Sequence, residues 1–210
     1  MRSGEHNVAR AYVLYREKRN QERAAQQTTA QETQTSTQAT EPGLKVLDNG
    51  VEKFLDMAAL RTIIEAACEG LGNNIDASPI ITETIKNLYD GVPMAQVYDS
   101  AILASRTLIE KDPAYSQVTA RILMHVIRKE ILGHEVLQGD MQAEYSSYFV
   151  KYINEGITAE LLDPRMRDFD LPRLAAALNA SRDLQFNYLG LQTLYDRYFL
   201  HIEDLSLIHI

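Results

Sequence analysis

From Ala24 to Thr40 the chain uses only Ala, Gln, Thr, Ser and Glu. With no large aliphatic or aromatic side chain to bury, such a stretch cannot repay the entropy of ordering itself, and it reads as a flexible tether. Pro42-Gly43 closes it with a strong break. Residues 20–43 therefore separate a short N-terminal piece from a long C-terminal one, and each has to be read by itself.

The C-terminal piece carries most of the apolar residues. The hydrophobic content of 45% over 210 residues allows one or two modest cores. Opposing 21 basic residues with 29 acidic ones leaves a net charge of -8, which argues against a general nucleic-acid-binding or anionic-membrane surface. Cys68 is the single cysteine, so the chain cannot build a disulfide framework or a multi-cysteine zinc site; it reads as a small buried apolar residue. No apolar run approaches the roughly 20 residues of a membrane span, and the N-terminus is not signal-like. Cytoplasmic location is the expectation.

Residues 1–19 contain Val8, Tyr12 and Tyr15 at helical spacing, followed by the basic tail Arg16, Lys18 and Arg19. One amphipathic helix cannot bury its own face, so this piece either docks on the later units or is the last helix of a domain whose beginning is missing, and the second reading is preferred.

Residues 44–133 are the organising unit. Asn49-Gly50 between two partly apolar arms predicts a small two-stranded hairpin lid. Four amphipathic helices follow. The first has Asp56 as its cap and Leu60, Ile63, Ile64, Ala67 and Leu71 on one stripe. Ser78-Pro79 opens the second with a capping hydroxyl, and Ile81, Ile85 and Leu88 form its stripe before Asp90-Gly91 ends it. Pro93 opens the third, with Val97, Ala101, Ala104 and Leu108 inward, and Asp112-Pro113 opens the fourth, with Val118, Ile122, Leu123, Val126 and Ile127 facing partners. The fold class is mainly α, an antiparallel helical bundle with a β-hairpin lid, followed by the start of a second helical domain over 134–204.

No catalytic or metal-binding set emerges. His6, His125, His134 and His201 lack partner spacing for a triad or a metal site, and the aromatic stripe Tyr148, Phe149, Tyr152 reads as core.

In order and spacing, Ala66 to Leu71, Tyr89 to Val92, Asp112 to Tyr115 and Thr119 to Leu123 resemble the ATP-cone domain. That helical module heads many ribonucleotide reductase large subunits. Residues 8–12 resemble its last helix, so the chain looks like the tail of one cone, a tether and a second cone. Tyr145 to Val150, Ser181 to Tyr188 and Leu194 to Leu200 are similar to the start of the helical N-terminal domain of the aerobic class I large subunit. Residues 205–210 depart from the family and match the translation of a transposon-end sequencing adapter, so the natural protein is expected to continue past Asp204.

The resemblance implies an N-terminal regulatory part of a ribonucleoside-diphosphate reductase, with its radical chemistry in a barrel domain outside this chain. It implies ATP and dATP as allosteric effectors that favour different oligomers, self-association of large subunits, and a radical-generating small (beta) subunit as partner. A bound triphosphate needs cations and backbone donors. Family hairpins supply them as Val-x-Lys-Arg-[Asp/Asn]-Gly, where this chain has Val46-Leu47-Asp48-Asn49-Gly50. Met94 and Tyr98 stand where polar residues are usual. The candidate site residues are Lys45, Val46, Asn49, Lys53 and Lys129 in the second cone, with Arg16 and Lys18 as remnants of the first. The acid in place of the Lys-Arg pair makes the expected second cone one that keeps its fold and has lost nucleotide affinity. Two further readings stay open: a structural adaptor whose cone only mediates subunit contacts, and a nucleotide-sensing repressor, which the single cysteine disfavours because such repressors carry a four-cysteine zinc ribbon.

Overall fold

In the computed structural model the described residues are 43–48, 50–202 and 206–208. They belong to a unit that begins at Gly43. The N-terminal helix and tether expected before it lie outside the described residues.

Strands β1 (Lys45–Asp48) and β2 (Val51–Phe54) pair antiparallel, with Asp48 opposite Val51, so residues 49–50 are the whole connection. Gly50 has φ 80°, the left-handed backbone that a two-residue turn demands and glycine tolerates without a Cβ penalty. The expected two-stranded lid is a three-stranded sheet in the order β2-β1-β3. Its third strand, β3 (Val92–Pro93), runs parallel to β1 with Val46 beside Val92. The Asp90-Gly91 pair does more than close a helix. The Asp90 carboxylate accepts from the Lys45 N–H at 2.9 Å, and the Gly91 N–H donates to the Lys45 carbonyl at 2.9 Å.

Helix α1 (Met57–Cys68) starts where Asp56 accepts from the Ala58 and Ala59 N–H groups, both at 2.9 Å, and it buries Leu60, Ile63, Ile64 and Ala67 as the spacing predicts. Leu71, expected on the same stripe, is half-buried. At its other end the Arg121 guanidinium donates to the carbonyls of Ala67 at 3.1 Å and Glu69 at 2.6 Å, groups that no intrahelical N–H can reach.

Helix α2 (Ser78–Asn87) departs from expectation twice. The Ser78 hydroxyl is not the cap: it donates to Asp76, whose carboxylate also accepts the Ser78 N–H, each at 2.9 Å. The buried row is Ile80, Ile81 and Thr84, while Ile85 is 42% exposed and Leu88 half-buried. Thr84 can be buried because its hydroxyl donates to the Ile80 carbonyl at 2.7 Å, leaving no unpaired polar group in the core.

Helix α3 (Met94–Thr107) faces inward with Val97, Tyr98, Ala101 and Ala104, and Leu108 is buried just beyond its end. Helix α4 (Tyr115–Leu132) is the central strut, packed by α1, α3 and a later helix over Tyr188–Arg197. Its Val118, Ile122, Leu123 and Ile127 are buried, and Val126 is half-buried. Gly133, at φ 74°, ends it with its N–H on the Lys129 carbonyl.

Beyond Gly133 come α5 (Met141–Thr158), α6 (Leu171–Ala177), α7 (Tyr188–Arg197) and a short antiparallel pair, β4 (Leu200–Ile202) with β5 (Ser206–Ile208). The main core does not stop at residue 133. Fully buried Leu191 belongs to it, with Phe186, Tyr188, Tyr195 and Phe199 packed against it. A smaller core gathers Tyr152, Ile153, Ile157 and Leu171. Among the described residues, no helix is long and apolar enough to cross a membrane.

Candidate functional site

Of the charged residues singled out in the sequence, the lid and the end of α4 bring together Lys53 and Lys129, while strand alternation puts Lys45 on the opposite face of the ribbon. Val46 is fully buried and anchors β1 on the bundle. Across the hairpin Lys53 pairs in register with Val46, and Asp48 pairs with Val51. By strand alternation these four side chains share one face of the ribbon.

On that face the Lys53 ammonium donates to the Asp48 carboxylate at 2.6 Å. Lys129, on the last turn of α4, donates to Glu135 at 3.0 Å, and the same Glu135 oxygen accepts the Tyr98 hydroxyl at 2.5 Å. The Lys129 ammonium also stands 5.0 Å from the centre of the Tyr98 ring, within cation–π range. Lys45 has a looser partner in Glu52, at 3.7 Å. Among the described residues, each lysine expected to meet a phosphate, Lys45, Lys53 and Lys129, already meets a carboxylate.

The titration of these groups follows from that contact set. The Lys53 hydrogen bond holds the Asp48 carboxyl below its usual range against a modest burial penalty, and the charge of Lys129 adds to the effect. Burial opposes the charge on Glu135, yet the donors Tyr98 and Lys129 outweigh it and its carboxyl is also lowered. Lys53 is raised by Asp48, and the Glu135 charge contributes too. Each pair thus feels the other, and the four groups form one electrostatic unit. Two ammonium groups and two carboxylates sum to zero.

Tyr98 is buried, and burial together with Glu135 pushes its phenol far above the usual range, so it acts as a hydrogen-bond donor. His125 is buried beside it, with ring centroids 5.6 Å apart. Its Nε2 has no hydrogen-bond partner, and burial lowers its pKa, so the ring is neutral at pH 7. Burial pushes the Cys68 thiol up to about 11, which makes it a poor nucleophile. Among the described residues no group of three or more His, Cys, Asp or Glu could hold a metal ion.

Asn49, Arg16 and Lys18 lie outside the described residues. Glu135 is the site member that sequence reading missed. Its signal was faint: an acid six positions after Lys129, just past the Gly133 stop, where the reversed chain can fold back on the helix end.

Next to Lys129 on α4, Arg128 anchors a second, buried network. Arg128 donates to Asp183 at 2.5 Å and to Gln138 at 2.6 Å, and Tyr145 donates to the same Asp183 oxygen at 2.6 Å. It borders a largely apolar cavity of about 300 Å³, which Tyr148, Phe149 and Tyr152 also line.

Fold and site together define a mainly α-helical unit with a small β lid, whose charged cluster is arranged for electrostatics. No protein-family model matches the chain. It is 35% identical over 205 residues to a ribonucleoside-diphosphate reductase subunit alpha of Chlamydia trachomatis, covering 97% of this chain and 19% of that protein. The protein of the same name from Chlamydia muridarum is 35% identical over 201 residues, and a ribonucleoside-diphosphate reductase 1 subunit alpha of Escherichia coli is 23% identical over 153 residues. Over nearly its whole length the chain is homologous to ribonucleoside-diphosphate reductase alpha subunits, and it spans about a fifth of the length of the curated relatives it matches.

Proposed function

We propose that this chain is the N-terminal regulatory part of a ribonucleoside-diphosphate reductase large subunit. The match to large subunits over nearly the whole chain supports that placement. The parent protein would reduce ribonucleotides to deoxyribonucleotides for DNA synthesis, as an assembly of large subunits working with a radical-generating small subunit. This chain by itself turns over no nucleotide. ATP and dATP act as effectors on cone-like modules in the parent, and residues 44–133 are a cone that serves as scaffold and assembly surface rather than as a nucleotide pocket.

The observation that carries the scaffold reading is the double pairing of Lys53 with Asp48 and Lys129 with Glu135. A triphosphate needs uncompensated cations, because a polyanion leaving water must be neutralised where it binds. Here a phosphate would have to displace two carboxylates from their lysines and then sit beside them.

Calorimetric titration of ATP and dATP into the 210-residue chain tests this, with helicity checked by circular dichroism. The whole chain is the right material because Leu191 completes the core of residues 44–133. The expected result is no saturable heat from a folded protein. Binding at micromolar affinity that depends on Lys53 or Lys129 would overturn the scaffold reading.

A further inference from the structure

We infer that Asp48 and Glu135 are built-in counter-ions that occupy a polyphosphate site from within, so that removing their two charges gives this lid the capacity to bind a triphosphate. The inference rests on the reading of residues 44–133 as a silent cone, and it deepens that reading by naming the residues that silence it.

The geometry is that of an anion site with its anion already supplied. Two ammonium groups, one on the lid and one at the end of α4, each hold a carboxylate oxygen, at 2.6 and 3.0 Å. Those are the separations a phosphate oxygen would take up from the same donors. Tyr98 adds a hydroxyl donor to the Glu135 oxygen, so that oxygen sits in a cradle of a charged and a neutral donor. The pairs are also close enough to perturb one another, with Asp48 responding to Lys129 and Lys53 to Glu135. Lys53 stands on the ribbon face that Val46 anchors on the bundle, in the same core as Tyr98, and Lys129 lies over the Tyr98 ring, so both ammonium groups border the seam between lid and bundle that an extended polyanion would follow.

Exposure separates this cluster from a structural ion pair. In each pair one partner reaches solvent, Lys53 at 51% and Glu135 at 39% exposed, while Asp48 and Lys129 are each 22% exposed. Exposed pairs contribute little to stability. Their cost to a competing anion is larger: two fixed negative charges repel a triphosphate at contact range, and like-charge juxtaposition of this kind is what excludes wrong partners. The ligand class is set by the two cations and the hydroxyl, which read phosphate oxygens and carry no information about a base.

The test is the double variant Asp48→Asn/Glu135→Gln in the 210-residue chain, titrated with ATP and separately with inorganic tripolyphosphate. Both substitutions keep an oxygen acceptor for the partner donors, so the hydrogen bonds to Lys53, Lys129 and Tyr98 can persist while the local charge rises from zero to two positive. The expected result is saturable binding of both probes, roughly tenfold or more tighter than to the unmodified chain. That binding weakens with added salt and is lost when Lys53→Gln and Lys129→Gln are added. A folded double variant with no gain overturns the inference, as does a gain that survives loss of the lysines. Should the double variant fail to fold, Asp48→Asn and Glu135→Gln are titrated singly, and the absence of any gain in both overturns it equally. If the unmodified chain and the variant are both silent, only this inference falls and the scaffold reading stands; an unmodified chain that binds removes the scaffold reading as well.

Discussion

Asp48, Glu135 and His125 tie the stability of the lid to pH with one sign. Both carboxyls titrate lower in the folded chain than their ordinary values of 3.8 and 4.5, and buried His125 titrates below 6.5. Wherever a folded-state pKa is depressed, the unfolded chain binds more protons, so stability is fully present above the ordinary value and is lost as pH falls through the folded one. Acidification should therefore cost stability in two steps, first below 6.5 from His125 and then below 4.5 from the carboxylates. Urea midpoints measured from neutral to acid pH check this. Replacing His125 with Leu should remove the first step and leave the second, whereas an unchanged profile would refute the assignment. Arg128 and Asp183 are more deeply placed, with side chains 7% and 13% exposed. Asp183→Ala strands a buried guanidinium and should cost about 3 to 5 kcal/mol by urea unfolding, whereas an apolar replacement of both partners should recover most of that. Legibility was uneven at this scale. Asp56 was readable as a cap because its acceptor lies one position ahead of an apolar period. Asp76 was not, since Ser78-Pro79 offered an equally good capping signal two residues later.

The same contrast governs the elements. The four helices over residues 57–132 were visible because three or more turns of apolar spacing leave a period that survives local exceptions. Strand β3 was invisible because two residues carry no period, and Pro93 reads more readily as a helix opening. What fixes that strand is backbone. The left-handed Gly91, at φ 80°, turns the chain so that its N–H meets the Lys45 carbonyl and Val92 drops beside Val46. No atom lies within 4 Å of where a Cβ on Gly91 would sit, so Gly91→Ala adds strain without a clash. It should cost about 1 to 2 kcal/mol, read as a lowered urea midpoint with an unchanged slope. A neutral result would mean that the lid is held by Val46 and Val92 alone. At the lid site, Lys53 and Lys129 could be singled out from their positions in the sequence, whereas strand alternation turns Lys45 to the other face of the ribbon. The charges that close it depend on a loop, after Gly133, that folds back by tertiary contact.

For the described unit as a whole, the informative fact is that α4 is shared. It carries the core of residues 44–133, and Leu191, Phe186 and Tyr188 join that same core, so a boundary placed at Gly133 from the helix stop does not coincide with a gap in packing. Sequence could mark that stop because glycine in a left-handed cap is a local signal. It could not show that a segment more than fifty residues later returns to the same helix, since such a contact leaves no spacing to read. The consequence is mechanical. A module whose core is completed by α7 cannot loosen without exposing Leu191. Leu191→Ala, in a fully buried position, should cost about 2 to 5 kcal/mol. Because the core is common, that loss should move the unfolding of the 44–133 helices and of α7 together in one transition. Two separated transitions, with the earlier helices unaffected, would show that residues 134–200 fold by themselves and that the core is not shared.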